Sequence, residues 1–134
     1  MARILVIDDD LYVCFTIKTI LERRGHNVVI AECGHGGIAF TEMHSFDAVI
    51  VDFFMPRLNG LESIKLLHHS EPEVKIIAIS GYRFHEGHNA TPDFFRMSLE
   101  FGASCYLHKP FTAMEVIEAV EKYCLLLAPE RQCA

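Results

Sequence analysis

The chain has 134 residues, of which 51% are hydrophobic, enough to fill one core of ordinary size and too few for two domains. Its formal net charge of -6 and sequence pI of about 5.7, with 12 scattered Lys and Arg, exclude the basic surface of a nucleic-acid binder. No basic-then-apolar leader and no run of membrane-spanning length is present, so a cytoplasmic protein with protein or small-ion partners is expected.

Ile4 to Ile7 is a short apolar run that reads as a strand and ends in Asp8-Asp9-Asp10. From Leu11 to Arg24 the apolar positions Val13, Cys14, Ile17, Ile20 and Leu21 recur at helical spacing, and Gly25 is a suitable stop. Asp10 reads as the N-cap of that helix, leaving Asp8 and Asp9 either as solvated charges or as rim residues at the strand end. Asn27 to Ala31 is a second strand, and Gly34-His35-Gly36-Gly37 opens a helix reaching Met43 or His44. Gly34-x-Gly36-x-x-Ala39 imitates a dinucleotide-binding fingerprint. It lies after the second strand rather than the first, and it gives the Asp8-Asp9 pair no role.

Ala48 to Val51 is an uninterrupted β-branched-rich run, the pattern of a strand buried on both faces. Asp52 stands where it ends, and an unpaired carboxylate is too costly to bury, so Asp52 opens either into a crevice or onto a simple turn or helix cap. Pro56 and Gly60 then mark a loop before a helix from Leu61 to His69, with Leu61, Ile64, Leu67 and His68 on one side. Val74 to Ile79 is the fourth strand and hands over Ser80-Gly81. After a polar stretch to Thr91, the Thr91-Pro92-Asp93 triplet starts a helix ended by Gly102, with Phe94, Phe95, Met97 and Phe101 as core. Ser104 to Leu107 is the fifth strand and delivers His108-Lys109-Pro110. Thr112 and Glu115 form a capping box for a last helix with Ala113, Ile117, Val120, Cys124 and Leu127 inward.

Five cysteines without a CxxC pair read as free, mostly buried thiols, and the histidines, chiefly His68, His69, His85 and His88, lack zinc-site spacing. Alternating strands and helices imply an α/β fold with a parallel sheet and right-handed crossovers. The polar residues Asp8, Asp9, Asp52, Ser80 and Lys109 then gather at one sheet edge. Three carboxylates there repel by about 4 kcal/mol per close pair, and a divalent cation with oxygen ligands, Mg²⁺ rather than zinc, resolves the repulsion. With a Lys and a hydroxyl beside it, such a site can accept a phosphoryl group on an Asp.

The acid pair Asp8-Asp9, Asp52 with Met55-Pro56 and Gly60, Ser80-Gly81, Tyr106 and Lys109-Pro110-Phe111 stand in the order of one family. Over nearly its whole length the chain resembles the receiver domain of two-component response regulators. The resemblance implies a flavodoxin-like, doubly wound (βα)5 fold of strand order 2-1-3-4-5, and a cis peptide before Pro110. It further implies Asp52 as phosphoacceptor; Asp8, Asp9, Asp52 and the Phe54 carbonyl as ligands of Mg²⁺, for which Mn²⁺ can substitute; and Ser80 and Lys109 on the phosphoryl oxygens. Tyr106 matches the switch aromatic. A histidine kinase or histidine phosphotransfer protein would supply the phosphate, and a downstream protein target would read the face of helix 4, strand 5 and helix 5. The receiver is expected over residues 1–127, with 128–134 a short tail and no output domain.

The Ser80 to Gly102 segment is longer than the family usually has, and Phe54 and Tyr82 are bulky where many relatives carry small or polar groups. Two rings beside the path of an attacking water would prolong the life of an acyl phosphate. Other readings are a phosphatase using Asp8-x-Asp10, which lacks a further acid pair after the lysine, and an interaction module that never takes phosphate.

Overall fold

The computed structural model describes residues 1–52, 60–81 and 91–125, the side chains of 91–95 and 123–125 excepted. Five strands, β1 Arg3–Ile7, β2 Asn27–Ala31, β3 Ala48–Asp52, β4 Lys75–Ser80 and β5 Cys105–His108, form one parallel sheet in the order β2-β1-β3-β4-β5. The helices between them are α1 Leu11–Glu22, α2 Gly34–Met43, α3 Gly60–Ser70, α4 Thr91–Phe101 and α5 Ala113–Glu118. This is the flavodoxin-like doubly wound arrangement that the alternation of elements implies.

The side-chain period of two divides each central strand between two cores. Ile4 and Val6 of β1, Ala48 and Ile50 of β3, and Ile77 and Ile79 of β4 meet Cys14, Ile17 and Leu21 of α1 and Val116 of α5 on one face. Leu5, Ile7, Val49, Val51, Ile76 and Ala78 meet Ile64 and Leu67 of α3, with Ile38 of α2 and Phe101 of α4 packed against them, on the other. Burial on both faces explains why these strands are continuous apolar runs, each buried Ile or Leu contributing about 1.5–3 kcal/mol.

Helix starts follow local chemistry. The Asp10 side chain accepts from the Tyr12 N–H at 3.0 Å, capping α1. Thr112 and Glu115 form the reciprocal capping box, at 3.1 and 2.7 Å. Cys33 caps α2 in place of the usual oxygen, its Sγ accepting from Gly36 N–H at 3.4 Å. Gly25, at φ 91°, and Gly102, at φ 124°, turn the chain after α1 and α4, a backbone conformation that suits glycine.

Several boundaries and faces differ from the sequence-based expectation. α1 stops at Glu22, because Arg24 and Gly25 N–H groups close a tight turn onto the Leu21 and Glu22 carbonyls. β4 and β5 each run one residue further, since Ser80 pairs with His108. The inner face of the last helix is Val116, Ala119 and Val120 rather than one through Ala113, which is exposed. The capping box fixes where the helix begins, with Ala113 as its first residue, and from Ala119 to Leu125 the backbone winds as a π-helix. Cys124, Leu127 and the 128–134 tail lie outside the described residues or side chains. His68, on the same side of α3 as Ile64 and Leu67 by its spacing, is exposed.

Candidate functional site

Register brings the polar residues together. Ile7 of β1 pairs with Val51 of β3, so Asp8 is the next step beside Asp52; Asp52 pairs with Ile79, and Ser80 with His108. The Lys109 N–H donates to the Ser80 carbonyl at 2.8 Å, and the peptide before Pro110 is cis, as the resemblance implies. Asp8, Asp9, Asp52, Ser80 and Lys109 therefore share the carboxyl edge of the sheet, where open α/β folds bind ligands.

Asp8 is completely buried, and Asp52 is 4% exposed. Lys109 Nζ donates to Asp8 Oδ2 at 2.8 Å and to Asp52 Oδ2 at 3.1 Å, and the Asp10 N–H donates to Asp8 Oδ1 at 2.9 Å. Burial and then the charge of Asp52 push the Asp8 carboxyl up, while Lys109 and the Asp10 N–H hold it down; the net displacement is upward from 3.8. Burial and the neighbouring Asp8 raise Asp9 as well. Burial draws the Lys109 ammonium down, but its hydrogen bond to Asp8 and the charges of both acids outweigh that and leave it raised. Lys109 is thus a fixed cation between two buried acids.

Carboxylate oxygens of Asp8, Asp9 and Asp52 lie within 4.8 Å of one another, the only such cluster of potential metal ligands among the described residues. The donor set fits Mg²⁺: all oxygen, few in number, with exposed Asp9 facing solvent that can complete the shell. The Phe54 carbonyl expected as a further ligand, and the Phe54 and Tyr82 side chains, fall outside the described residues.

Ser80 is fully buried, and its side chain hydrogen-bonds the phenol of half-buried Tyr106, whose pKa is raised chiefly by burial. Tyr106 packs in the core on the α3 side of the sheet. The structure thus brings together Ser80 and Tyr106, the expected switch pair.

Sequence reasoning passed over two contributors to this site and one cluster away from it. The Asp10 N–H orients Asp8, and Cys14 Sγ donates to the Asp8 carbonyl at 3.3 Å. Burial pushes the Cys14 thiol up to about 12, so it is an inert support. At the opposite edge, buried His26 accepts the Ala2 N–H on Nδ1 at 3.0 Å and meets Glu121 through Nε2 at 2.7 Å, while Arg24 grips the same carboxylate at 2.7 and 3.1 Å. Pairs some 95 residues apart leave no local signal in the chain. Cys14, Cys33 and Cys105 are not joined in disulfides.

Residues 4–121 match the response regulator receiver domain family. The chain belongs to that family. The receiver is 31% identical over 122 residues to the transcriptional regulatory protein CpxR of Escherichia coli K12, covering 90% of this chain and 48% of CpxR, so it spans about half the length of that regulator. Its fold superposes on a CheY-like receiver domain protein of Methanospirillum hungatei JF-1 with TM-score 0.84 and 28% identity, covering 97% of this chain and 98% of that one. A receiver domain from Clostridium thermocellum gives TM-score 0.82 and 31% identity, over 96% and 98% of the two chains. Among the described residues no helix is long and apolar enough to cross a membrane.

Proposed function

We propose that this receiver accepts a phosphoryl group on Asp52 from a phosphohistidine of a histidine kinase or phosphotransfer protein, in a reaction that depends on a divalent cation. The observation that carries the reading is Lys109, bridging Asp8 and Asp52 within a triad of carboxylates. A carboxylate oxygen of Asp52 attacks phosphorus in line, the P–N bond breaks, and the imidazole leaves with the bonding pair and is protonated by solvent. The product is an acyl phosphate. Lys109 neutralises the transferring oxygens, and Ser80 donates to one of them. Mg²⁺ held by Asp8, Asp9 and Asp52 would supply further positive charge there and relieve the repulsion among the acids.

The partner meets an apolar rim. Tyr12 and Phe15 of α1 are 79% and 56% exposed and Met114 of α5 is 60% exposed, all in opening turns that rise from the same sheet edge as Asp52. Ser80 leaving the Tyr106 phenol for the phosphoryl group would alter the surface of α4, β5 and α5, where a downstream protein reads the state.

Incubation with acetyl phosphate and Mg²⁺, followed by intact mass, tests this. One phosphate should be gained by the wild type and none by Asp52→Asn, or by the wild type in EDTA. A gain of one phosphate by Asp52→Asn at the wild-type rate would overturn the assignment; no gain by the wild type would favour a phosphate-independent interaction module.

A further inference from the structure

Every polar group of Asp8 is engaged. Its N–H donates to the Ala31 carbonyl of β2 at 3.2 Å, its carboxylate accepts from Lys109 and from the Asp10 N–H, and its carbonyl accepts from the Cys14 thiol at 3.3 Å. The first three contacts hold the buried acid itself. The fourth reaches the next residue, because the Asp8 carbonyl and the Asp9 N–H belong to one planar peptide, and a plane held at its oxygen is held at its nitrogen. That N–H in turn meets the carboxylate of Asp9, the exposed member of the triad. Cys14 can act as a fixed donor: it is completely buried on the inner face of α1, and its own N–H is tied to the Asp10 carbonyl at 3.1 Å. Its thiol, pushed up to about 12, keeps its proton across the physiological range. Valine or alanine could fill the same core, but neither would serve the buried carbonyl.

We propose that Cys14 is a positioning residue for the acid triad: by holding the peptide between Asp8 and Asp9, its thiol keeps the Asp9 carboxylate within reach of Asp8 and Asp52 and so raises the affinity of the triad for a divalent cation. The consequence for phosphoryl acceptance rests on the proposed function above; the consequence for metal binding does not. Without the donor the peptide plane can tilt, and a cation must first gather in an exposed side chain, an ordering cost that is subtracted from its affinity.

Two pairs of variants in the full chain separate the donor from packing. Cys14→Ser and Cys14→Ala are both smaller than cysteine, Cys14→Thr and Cys14→Val both larger, and within each pair the members are close in shape and differ in a hydroxyl. In calorimetric titration with Mg²⁺ the hydroxyl member of each pair should bind about three- to tenfold more tightly than its partner, the equivalent of one net hydrogen bond, with the wild type beside the hydroxyl members. Packing defects follow size instead, so melting temperature in EDTA should group Ser with Ala and Thr with Val. Mg²⁺ affinities that group the same way, with no gap inside either pair, overturn the proposal. Either pair decides by itself should a member of the other fail to fold. In phosphorylation from acetyl phosphate, the Ala and Val variants should need correspondingly more Mg²⁺ for a half-maximal initial rate and approach the wild-type rate at saturation. A rate still depressed at saturating Mg²⁺, with unchanged Mg²⁺ affinity, would place the effect on the acceptor rather than the metal and would also overturn the proposal. Failure of the wild type to take phosphate would defeat the proposed function, and the Mg²⁺ titration would still decide the role of Cys14.

Discussion

Removing the Lys109 charge while keeping its stem, as in Lys109→Met, should destabilise the metal-free protein in a way that Mg²⁺ and acid both repair. At an effective dielectric of about 20, an ion pair near 3 Å is worth about 5 kcal/mol, and two carboxylates within 4.8 Å of each other repel by about 3.5 kcal/mol or more. Loss of the cation leaves completely buried Asp8 facing Asp52, with the Asp10 N–H still donating to Asp8. Breaking a buried pair costs about 3–5 kcal/mol, and the lower end applies because Asp8, already raised, can take up a proton. For 134 residues, about 3 kcal/mol lowers Tm by about 10 °C. A carboxyl held above its ordinary 3.8 in the folded state keeps a proton there that it releases on unfolding. Stability therefore falls as pH rises through the interval between the two values, and the variant, lacking the ammonium, extends that interval upward. The gap from wild type should be widest near pH 8 and narrow toward pH 5, and millimolar Mg²⁺ should close most of it by supplying the missing positive charge. Differential scanning fluorimetry in EDTA and in Mg²⁺ across this range measures it. A Tm loss of equal size under all four conditions would mean that the lysine acts through packing alone and would refute the electrostatic argument.

Gly37→Ala should cost about 1–3 kcal/mol in urea unfolding, because a Cβ there would lie 2.6 Å from Cγ1 of fully buried Ile7, the residue before Asp8. Thr112→Ala removes one half of a capping box and should cost about 1 kcal/mol, with phosphorylation of Asp52 unaffected. Hydrogen bonding from Arg24 and then His26 holds Glu121 at about 2 rather than 4.5, against the opposing effect of burial. The stability this gives is full above pH 4.5 and lost as pH falls through about 2, so Glu121→Gln should lower Tm at pH 6 and match the wild type at pH 2. A constant deficit down to pH 2 would point to packing rather than charge.

Much of this fold was legible because the constraints are local. A strand buried on both faces has to be an apolar run, and Ala48 to Val51 is one. A capping box needs its two residues three apart, and Thr112 with Glu115 is one. The site was legible for a related reason: an acid, hydroxyl or lysine that directly follows a buried strand cannot turn back into the core unpaired, so topology alone assigns Asp8, Asp52, Ser80 and Lys109 to one edge. What escaped depends on contacts across the sequence or on competition between hydrogen-bonding patterns. The inner face of the last helix was misassigned at its start: the capping box makes exposed Ala113 the first helical residue, while Val116, Ala119 and Val120 turn inward. The Glu121 cluster joins residues from the two ends of the described chain, and no window of sequence contains it.

Residue type and placement answer to different physics at this site. That Lys109 belongs beside the acids follows from charge, but its main chain is placed by a backbone contact, its N–H donating to the Ser80 carbonyl at 2.8 Å. The same holds on the other side of the triad. Asp8 is an acid by its side chain, yet its orientation comes from the backbone N–H of Asp10, whose own carboxylate is occupied in capping α1. One short turn thus starts a helix and aims an acid at the same time. A change at Asp10 that spares the cap, such as Asp10→Asn, should accordingly leave Asp8 in place, because the donor is main chain and the turn survives. Asp10→Pro deletes that N–H and should weaken Mg²⁺ binding in a calorimetric titration, although Asp8, Asp9 and Asp52 are all present. Equal Mg²⁺ affinity in the two variants would show that the backbone bond does not orient Asp8.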